Sequence, residues 1–157
     1  MIPLHEPNLF KKEGYYLKQC LNSSWISTSG KFINLLEKKI KKLTKAKHAI
    51  VTINGTSALH ISLKLAGVKP GDEVIAPAIT FISPINAINY NNSQPIFMDV
   101  DEFFNIDQKK TIEFIKKETF FKKNYTFNKK TKKRISCLII VHTFGNAADV
   151  DELILLC

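Results

Sequence analysis

The spacing of apolar residues changes several times along this chain, and each change marks an element. KFINLLEKKIKKLTK (31–45) places Phe32, Leu35, Leu36, Ile40 and Leu43 at helical spacing with lysines opposite, which predicts a strongly amphipathic helix. KEGYYLKQCL (12–21) is a weaker helix, and WISTSG (25–30) reads as a polar loop around the only tryptophan. HAIVTI (48–53) is short, apolar and rich in β-branched residues, which predicts a strand. TSALHISLKLAG (56–67) returns to helical spacing through Ala58, Leu59, Ser62, Leu63 and Ala66, and Gly67 stands where a helix-ending glycine belongs. A turn at Pro70–Gly71 leads into a brief strand at 73–76. ISPINAINYN (82–91) reads as a helix that tolerates Pro84 in its first turn, where the missing N–H has no partner to lose. PIFMDV (95–100) predicts a strand, and Asp107 is placed to cap a helix over QKKTIEFIKKE, with Ile112, Phe114 and Ile115 on its apolar side. FFKKNYTFNKKTKKR (120–134) predicts a surface hairpin or loop. SCLIIVH (136–142) predicts a buried strand, and Asp149 or Asp151 can start a last helix.

Alternating β and α segments predict an α/β fold, a doubly wound and mostly parallel sheet. Its parallel strands would be 48–53, 73–76, 95–100 and 136–142. Ligands of such sheets sit beyond the carboxyl ends of the strands. That puts NGTS, PAITF and HTFGNAAD on one rim.

Composition narrows the function classes. The chain has 157 residues, 45% of them apolar, enough for a real core. No apolar run is long enough to span a bilayer, and the N-terminal segment lacks the features of a secretion signal, so the cytoplasm is the expected location. Cys20, Cys137 and Cys157 form no C-x-x-C or His/Cys cluster, which predicts reduced thiols and no metal. The net charge of +9 raises a nucleic-acid partner. The positives are nearly all lysine, gathered in 38–47 and 116–134. Specific base readers favour arginine, and single-strand binders interleave aromatics with charge. Neither run forms such a platform plainly, so solvated faces are the simpler reading.

The junction at 53–57 carries the clearest chemistry. Strand, Gly-Thr-Ser and helix in succession make an anion-binding geometry: unpaired N–H groups at a helix start, a favourable dipole, and Gly55 for close approach. It is neither a Walker loop nor a G-x-G-x-x-G turn. The competing reading is that Asn54, Thr56 or Ser57 merely caps the helix. Phe81, at the end of the second strand, can stack on a planar heterocycle or fill the core. His142 can serve a site or a structural hydrogen bond, whereas His60 falls within a predicted helix and His5 and His48 show no partner in the sequence. Asp99 and Asp101 can pair for acid–base work, or Asp101 can shape a turn.

Taken in order, IPLHEPNL, WISTSGKFINLLEKKI, NGTSALHISLKLAGVKPGDEVIAPAITFISPINAI, PIFMDVD and VHTFGNAADVDEL resemble the DegT/StrS family of sugar aminotransferases. The resemblance runs from about Ile2 to the last residue. It implies fold type I, with pyridoxal 5′-phosphate as cofactor. It implies that Gly55, Thr56 and Ser57 bind the cofactor phosphate and that Phe81 stacks on the pyridine ring. Asn86 and His142 would lie near the pocket, and Trp25, Ser27 and Gly30 would line a sugar-nucleotide cleft. The implied substrates are an amino acid, glutamate in the family, and a 4-keto-6-deoxy sugar nucleotide; a homodimer is implied for the whole enzyme. The segment 120–134 followed by RISCLIIVHTFG resembles most the branch making UDP-linked 4-amino-4,6-dideoxy-N-acetylglucosamine for legionaminic-acid or bacillosamine pathways.

In the family, the aspartate that pairs with the pyridine nitrogen and the Schiff-base lysine both follow the VHTFG-like segment, in motifs this sequence does not contain. No residue here is therefore assigned a catalytic role. The expectation is an N-terminal portion, divided as a helix and cleft loop over 1–30 and an incomplete cofactor-binding domain over 31–157. It is expected to bind the cofactor weakly, to lack activity alone, and to leave the strand edge at 137–141 uncovered. A non-catalytic binding domain of the same fold is the second reading.

Overall fold

A computed structural model of the chain describes residues 2, 6–27 and 29–157. His5 and Thr28, both within segments singled out above, lie outside the described residues. The structure divides into two compact units, Met1–Val51 and Thr52–Cys157.

The first unit holds two helices, α1 (Lys11–Asn22) and α2 (Lys31–Thr44). At the start of α1 the Glu13 carboxylate reaches back to accept the Phe10 N–H at 2.8 Å, supplying a partner to an otherwise orphaned amide. Gly30, buried, precedes α2, and Lys45 closes it in the left-handed region at φ 57°. Tyr16 and Phe32 meet edge to face at 5.3 Å. Neither helix contains a buried residue, and Leu43 of the α2 stripe is 80% exposed.

The expected strand at 48–53 does not form. A strand needs a ladder partner, and the sheet offers this run none among the described residues. The Val51 N–H instead donates to the Glu37 carboxylate at 3.0 Å, and Ile50 and Ile53 project outward. Apolar, β-branched composition is a preference for a half-buried pleated surface, not a force that makes one.

The second unit is built on a five-stranded sheet in the order β2-β1-β5-β4-β3. β1 (Glu73–Pro77) lies parallel to β2 (Gln94–Met98) on one side and to β5 (Arg134–Leu138) on the other. β3 (Thr119–Lys122) and β4 (Tyr125–Asn128) form an antiparallel hairpin, and β4 joins β5 through Thr126↔Ile135 and Phe127↔Arg134. The centre is thus three parallel strands rather than four, and the 120–134 segment forms the expected hairpin but is part of the sheet. It pairs only the first residues of β5, so no strand partners the edge from Cys137 onward among the described residues.

Strand period sorts the core into two layers. Val74 and Ala76 face Leu63 of α3 (Gly55–Leu65) and Ala87 and Ile88 of α4 (Ile82–Tyr90). Ile75 faces the other way, with Met98, Ile106 and Leu153, against α5 (Gln108–Glu118) and α6 (Asp151–Leu156). Ile75, Ile88, Ile106 and Leu153 are essentially fully buried, each stabilising by about 2 kcal/mol. α3 ends as expected: the Gly67 N–H donates to Lys64 O at 3.0 Å and the Val68 N–H to Leu63 O at 3.1 Å, with Gly67 at φ 84°. The Asp107 carboxylate caps α5 by accepting the Lys110 N–H at 3.0 Å. Asp151 is the first residue of α6.

Candidate functional site

The end of β1 turns through residues 78–81 straight into α4, which packs beside α3. The starts of these two helices are joined by one hydrogen bond, Thr56 Oγ1 donating to Ser83 Oγ at 2.9 Å. Thr56 and Ser83 each occupy the second position of their helix, so two helix N-termini converge on one corner. Each brings roughly half a positive charge of macrodipole.

The amides there are only partly used. Asn54, extended at φ −160°, caps α3 by accepting the Ser57 N–H at 2.8 Å, so the capping reading holds for Asn54 and the Ser57 amide is engaged. The N–H groups of Gly55 and Thr56 have no acceptor among the described residues. α4 begins after Phe81, which has no capping side chain, and the Ile82 and Ser83 amides are likewise without acceptors. Pro84 contributes no N–H. A Cβ built on Gly55 would meet nothing within 4 Å, leaving room for a tetrahedral anion beside the backbone. The donor set therefore fits a phosphate ester: four unpaired amides and the hydroxyls of Ser57 and Ser83 at converging helix starts.

Phe81 is 77% exposed and belongs to neither core layer, so its ring is available at the lip of this corner. Gly55 is exposed, and Thr56, Ser57 and Ser83 are half-buried. Asn86 is half-buried on α4, three residues beyond Ser83 and so on the same side of the helix. Ser83 is the residue that sequence reading missed. Its signal was available: a hydroxyl in the first turn of a helix that follows a buried strand directly.

The remaining candidates have contacts of their own. β5 ends at Leu138, four residues before His142, whose Nδ1 accepts the Ala148 N–H at 3.0 Å. That bond gives His142 a structural task in closing 142–148. Next to it the Thr143 N–H donates to Asn105 Oδ1 at 3.0 Å. Asp99 and Asp101 do not form an acid–base pair. Asp99 meets the Lys110 ammonium at 2.6 Å, and Asp101 Oδ1 accepts the Phe103 and Asn105 amides at 2.9 Å, shaping a turn. Trp25, Ser27 and Gly30 belong to the first unit, where they line one cavity of about 250 Å³ with Leu17, Phe32 and Ile33. Among the described residues no cluster of His, Cys, Asp or Glu could hold a metal, and no helix is long and apolar enough to cross a membrane.

Comparison with known proteins gives consistent matches. GDP-perosamine synthase of Vibrio cholerae is 35% identical over 158 residues, covering 100% of this chain and 39% of its own length. GDP-perosamine synthase of Escherichia coli O157:H7 is 33% identical, covering 98% of this chain and 38% of its own. The chain thus spans under two-fifths of the curated relatives it matches. Among solved structures, Spr1654 of Streptococcus pneumoniae, provisionally named a sugar aminotransferase and solved in PLP and PMP forms, superposes with a TM-score of 0.78 at 25% identity. The match covers 99% of this chain and about 35% of that one. 3-Amino-5-hydroxybenzoic acid synthase superposes with a TM-score of 0.76 at 28% identity, over 96% of this chain and 35% of its own. A family model matches residues 7–157, and on that match the chain belongs to the DegT/DnrJ/EryC1/StrS aminotransferase family.

Proposed function

We propose that the corner between α3 and α4 cradles the phosphate of pyridoxal 5′-phosphate, and that the whole protein transfers an amino group from an amino acid to a nucleotide-linked keto sugar. The observation that carries this is the Thr56–Ser83 hydrogen bond, which brings two helix starts and their unpaired amides together. Gly55 and Thr56 donate backbone N–H groups, Ser57 and Ser83 offer hydroxyls, the Thr56 hydroxyl holds that of Ser83 in place, and Phe81 supplies a ring face for the pyridine. Asn86 lines the same side of α4. His142 acts on this reading through the loop it holds. Trp25, Ser27 and Gly30 take part in substrate binding.

When bound, the cofactor supplies an electrophilic carbonyl and an electron-accepting ring. The residues of this chain bind and orient: amides and dipoles fix the phosphate, and the phenyl ring fixes the plane. Among the described residues no hydrogen bond or ion pair brings a lysine to this corner. We therefore read these 157 residues alone as inactive, with weak cofactor affinity.

For the acceptor we favour a 4-keto-6-deoxy sugar nucleotide and glutamate as donor. The segment 120–134 supports a UDP-linked N-acetyl sugar of the legionaminic-acid or bacillosamine type, whereas the relatives' names favour a GDP carrier. A cytoplasmic homodimer rests on the resemblance alone. The test is equilibrium binding of pyridoxal 5′-phosphate against pyridoxal, with Thr56→Val and Ser83→Ala. The phosphate should improve binding, and both variants should erase the improvement. Equal binding of the two compounds would overturn the phosphate cradle. Separately, product formed by the chain alone from glutamate and either UDP- or GDP-linked keto sugar would overturn the inactivity.

A further inference from the structure

The β3–β4 hairpin has a face that the aminotransferase reading leaves unused. Register places Phe120 opposite Phe127, Lys122 opposite Tyr125, and Phe127 opposite Arg134, so these five side chains share one face of three adjacent strands. The Phe120 and Phe127 rings stack at 5.5 Å with planes 20° apart. Lys132 Nζ sits 5.8 Å above the Phe120 ring and the Arg134 guanidinium 5.1 Å from that of Tyr125. Phe120, Tyr125 and Phe127 floor a cavity of about 340 Å³, with Lys122, Lys123 and Lys132 around its rim. From Thr119 to Arg134 the chain carries six lysines and Arg134, and no Asp or Glu. Arg134 is committed to Asp72 and Lys133 to Gln94, but Lys122, Lys123, Lys130 and Lys132 meet no carboxylate among the described residues.

Sequence alone did not show aromatics and charge interleaved on one surface; strand pairing puts them there. We propose that this face binds single-stranded nucleic acid, one base lying in the Phe120–Tyr125–Phe127 recess and backbone phosphates on Lys122, Lys123 and Lys132. Base-on-aromatic stacking beside a lysine rim is the chemistry of sequence-tolerant strand binding. The uncompensated charge exceeds what one phosphate group needs and suits a polyanion. A bilayer is the poorer occupant, because the hairpin tip is Lys123–Asn124 and the rings lie back in the recess.

The test is fluorescence anisotropy of a labelled ten-nucleotide oligo-uridine with the 157-residue chain over a potassium chloride series. The single strand should bind at least about tenfold more tightly than a duplex of equal length. Tyr125→Ser should weaken binding about tenfold, since loss of one stacking partner is worth roughly that factor. Lys122→Ser with Lys123→Ser should lower the log–log salt slope by about 1.4, two phosphates at about 0.7 each. Lys41→Ser with Lys42→Ser on α2 should change nothing, and circular dichroism should show all variants folded. Indifference to Tyr125→Ser, equal binding of duplex, equal binding of free uridine monophosphate, or tighter binding to anionic vesicles would each overturn the proposal.

Discussion

Replacing Arg134 with methionine probes the joint between the first residue of β5 and the turn that follows α3. Asp72 is 7% exposed, and its carboxylate accepts the Arg134 Nε–H at 3.0 Å, a second guanidinium hydrogen bond, and the Lys69 N–H at 2.8 Å. The guanidinium also donates to Gly67 O at 2.7 Å. Removing one partner of a buried pair costs about 3–5 kcal/mol, because the other charge stays desolvated. The two side chains keep 17% and 9% exposure, which argues for the lower end, about 3 kcal/mol. With a urea slope of about 2 kcal/mol/M, the midpoint should fall by about 1.5 M at pH 7. The pH dependence follows from Asp72. Burial pushes its carboxyl up, but the hydrogen bonds from Arg134 and Lys69 and the guanidinium charge outweigh burial and hold it below its ordinary value of 3.8. A depressed carboxyl stabilises the fold fully above its unfolded value and loses that contribution as pH falls through the lower folded one. The gap between parent and variant should therefore narrow as pH falls below 3.8, toward the lower folded value. Urea denaturation followed by circular dichroism at pH 7 and pH 3 measures both. A midpoint change under about 0.3 M at pH 7, which corresponds to less than about 0.6 kcal/mol, or a gap as wide at pH 3 as at pH 7, would refute the reasoning.

Other outcomes follow from single contacts. Asn54→Ala removes the cap on Ser57 and should cost about 1 kcal/mol in the same denaturation experiment, without abolishing phosphate binding at Gly55 and Thr56. Gly67→Ala forces a Cβ into the left-handed region at φ 84° and should cost about 1 kcal/mol, although nothing crowds the site. Lys110→Ala breaks an exposed ion pair with Asp99 and should leave the midpoint unchanged. Burial pushes the Cys137 thiol up, so a thiol-reactive dye should label it more slowly than Cys20 at pH 8.

Elements that depend on local chemistry were legible in the sequence. The α3 ending at Gly67, the Asp107 cap and the buried run of β1 follow from caps and period, and each forms where expected. What depended on a distant partner was not. The run at 48–53 has strand composition but no ladder to join, and the 120–134 segment reads as a surface insertion until pairing with Arg134 and Ile135 makes it part of the sheet. The same limit applies to the candidate site. Gly55, Thr56 and Phe81 stand out in the sequence because each follows an apolar run that reads as a strand, whereas Ser83 joins the candidate corner only once α4 packs against α3. His142 carried the residue type of a site, yet its Nδ1 is taken by the Ala148 amide.

The phosphate cradle itself is tested most directly by amide chemical shifts. Nitrogen-15-labelled chain would be titrated with pyridoxal 5′-phosphate, with pyridoxal as the matched compound lacking the phosphate. The Gly55, Thr56, Ile82 and Ser83 amides should move together with the first compound and stay still with the second. Shifts confined to other residues, or identical responses to both compounds, would contradict a phosphate held where the two helices begin.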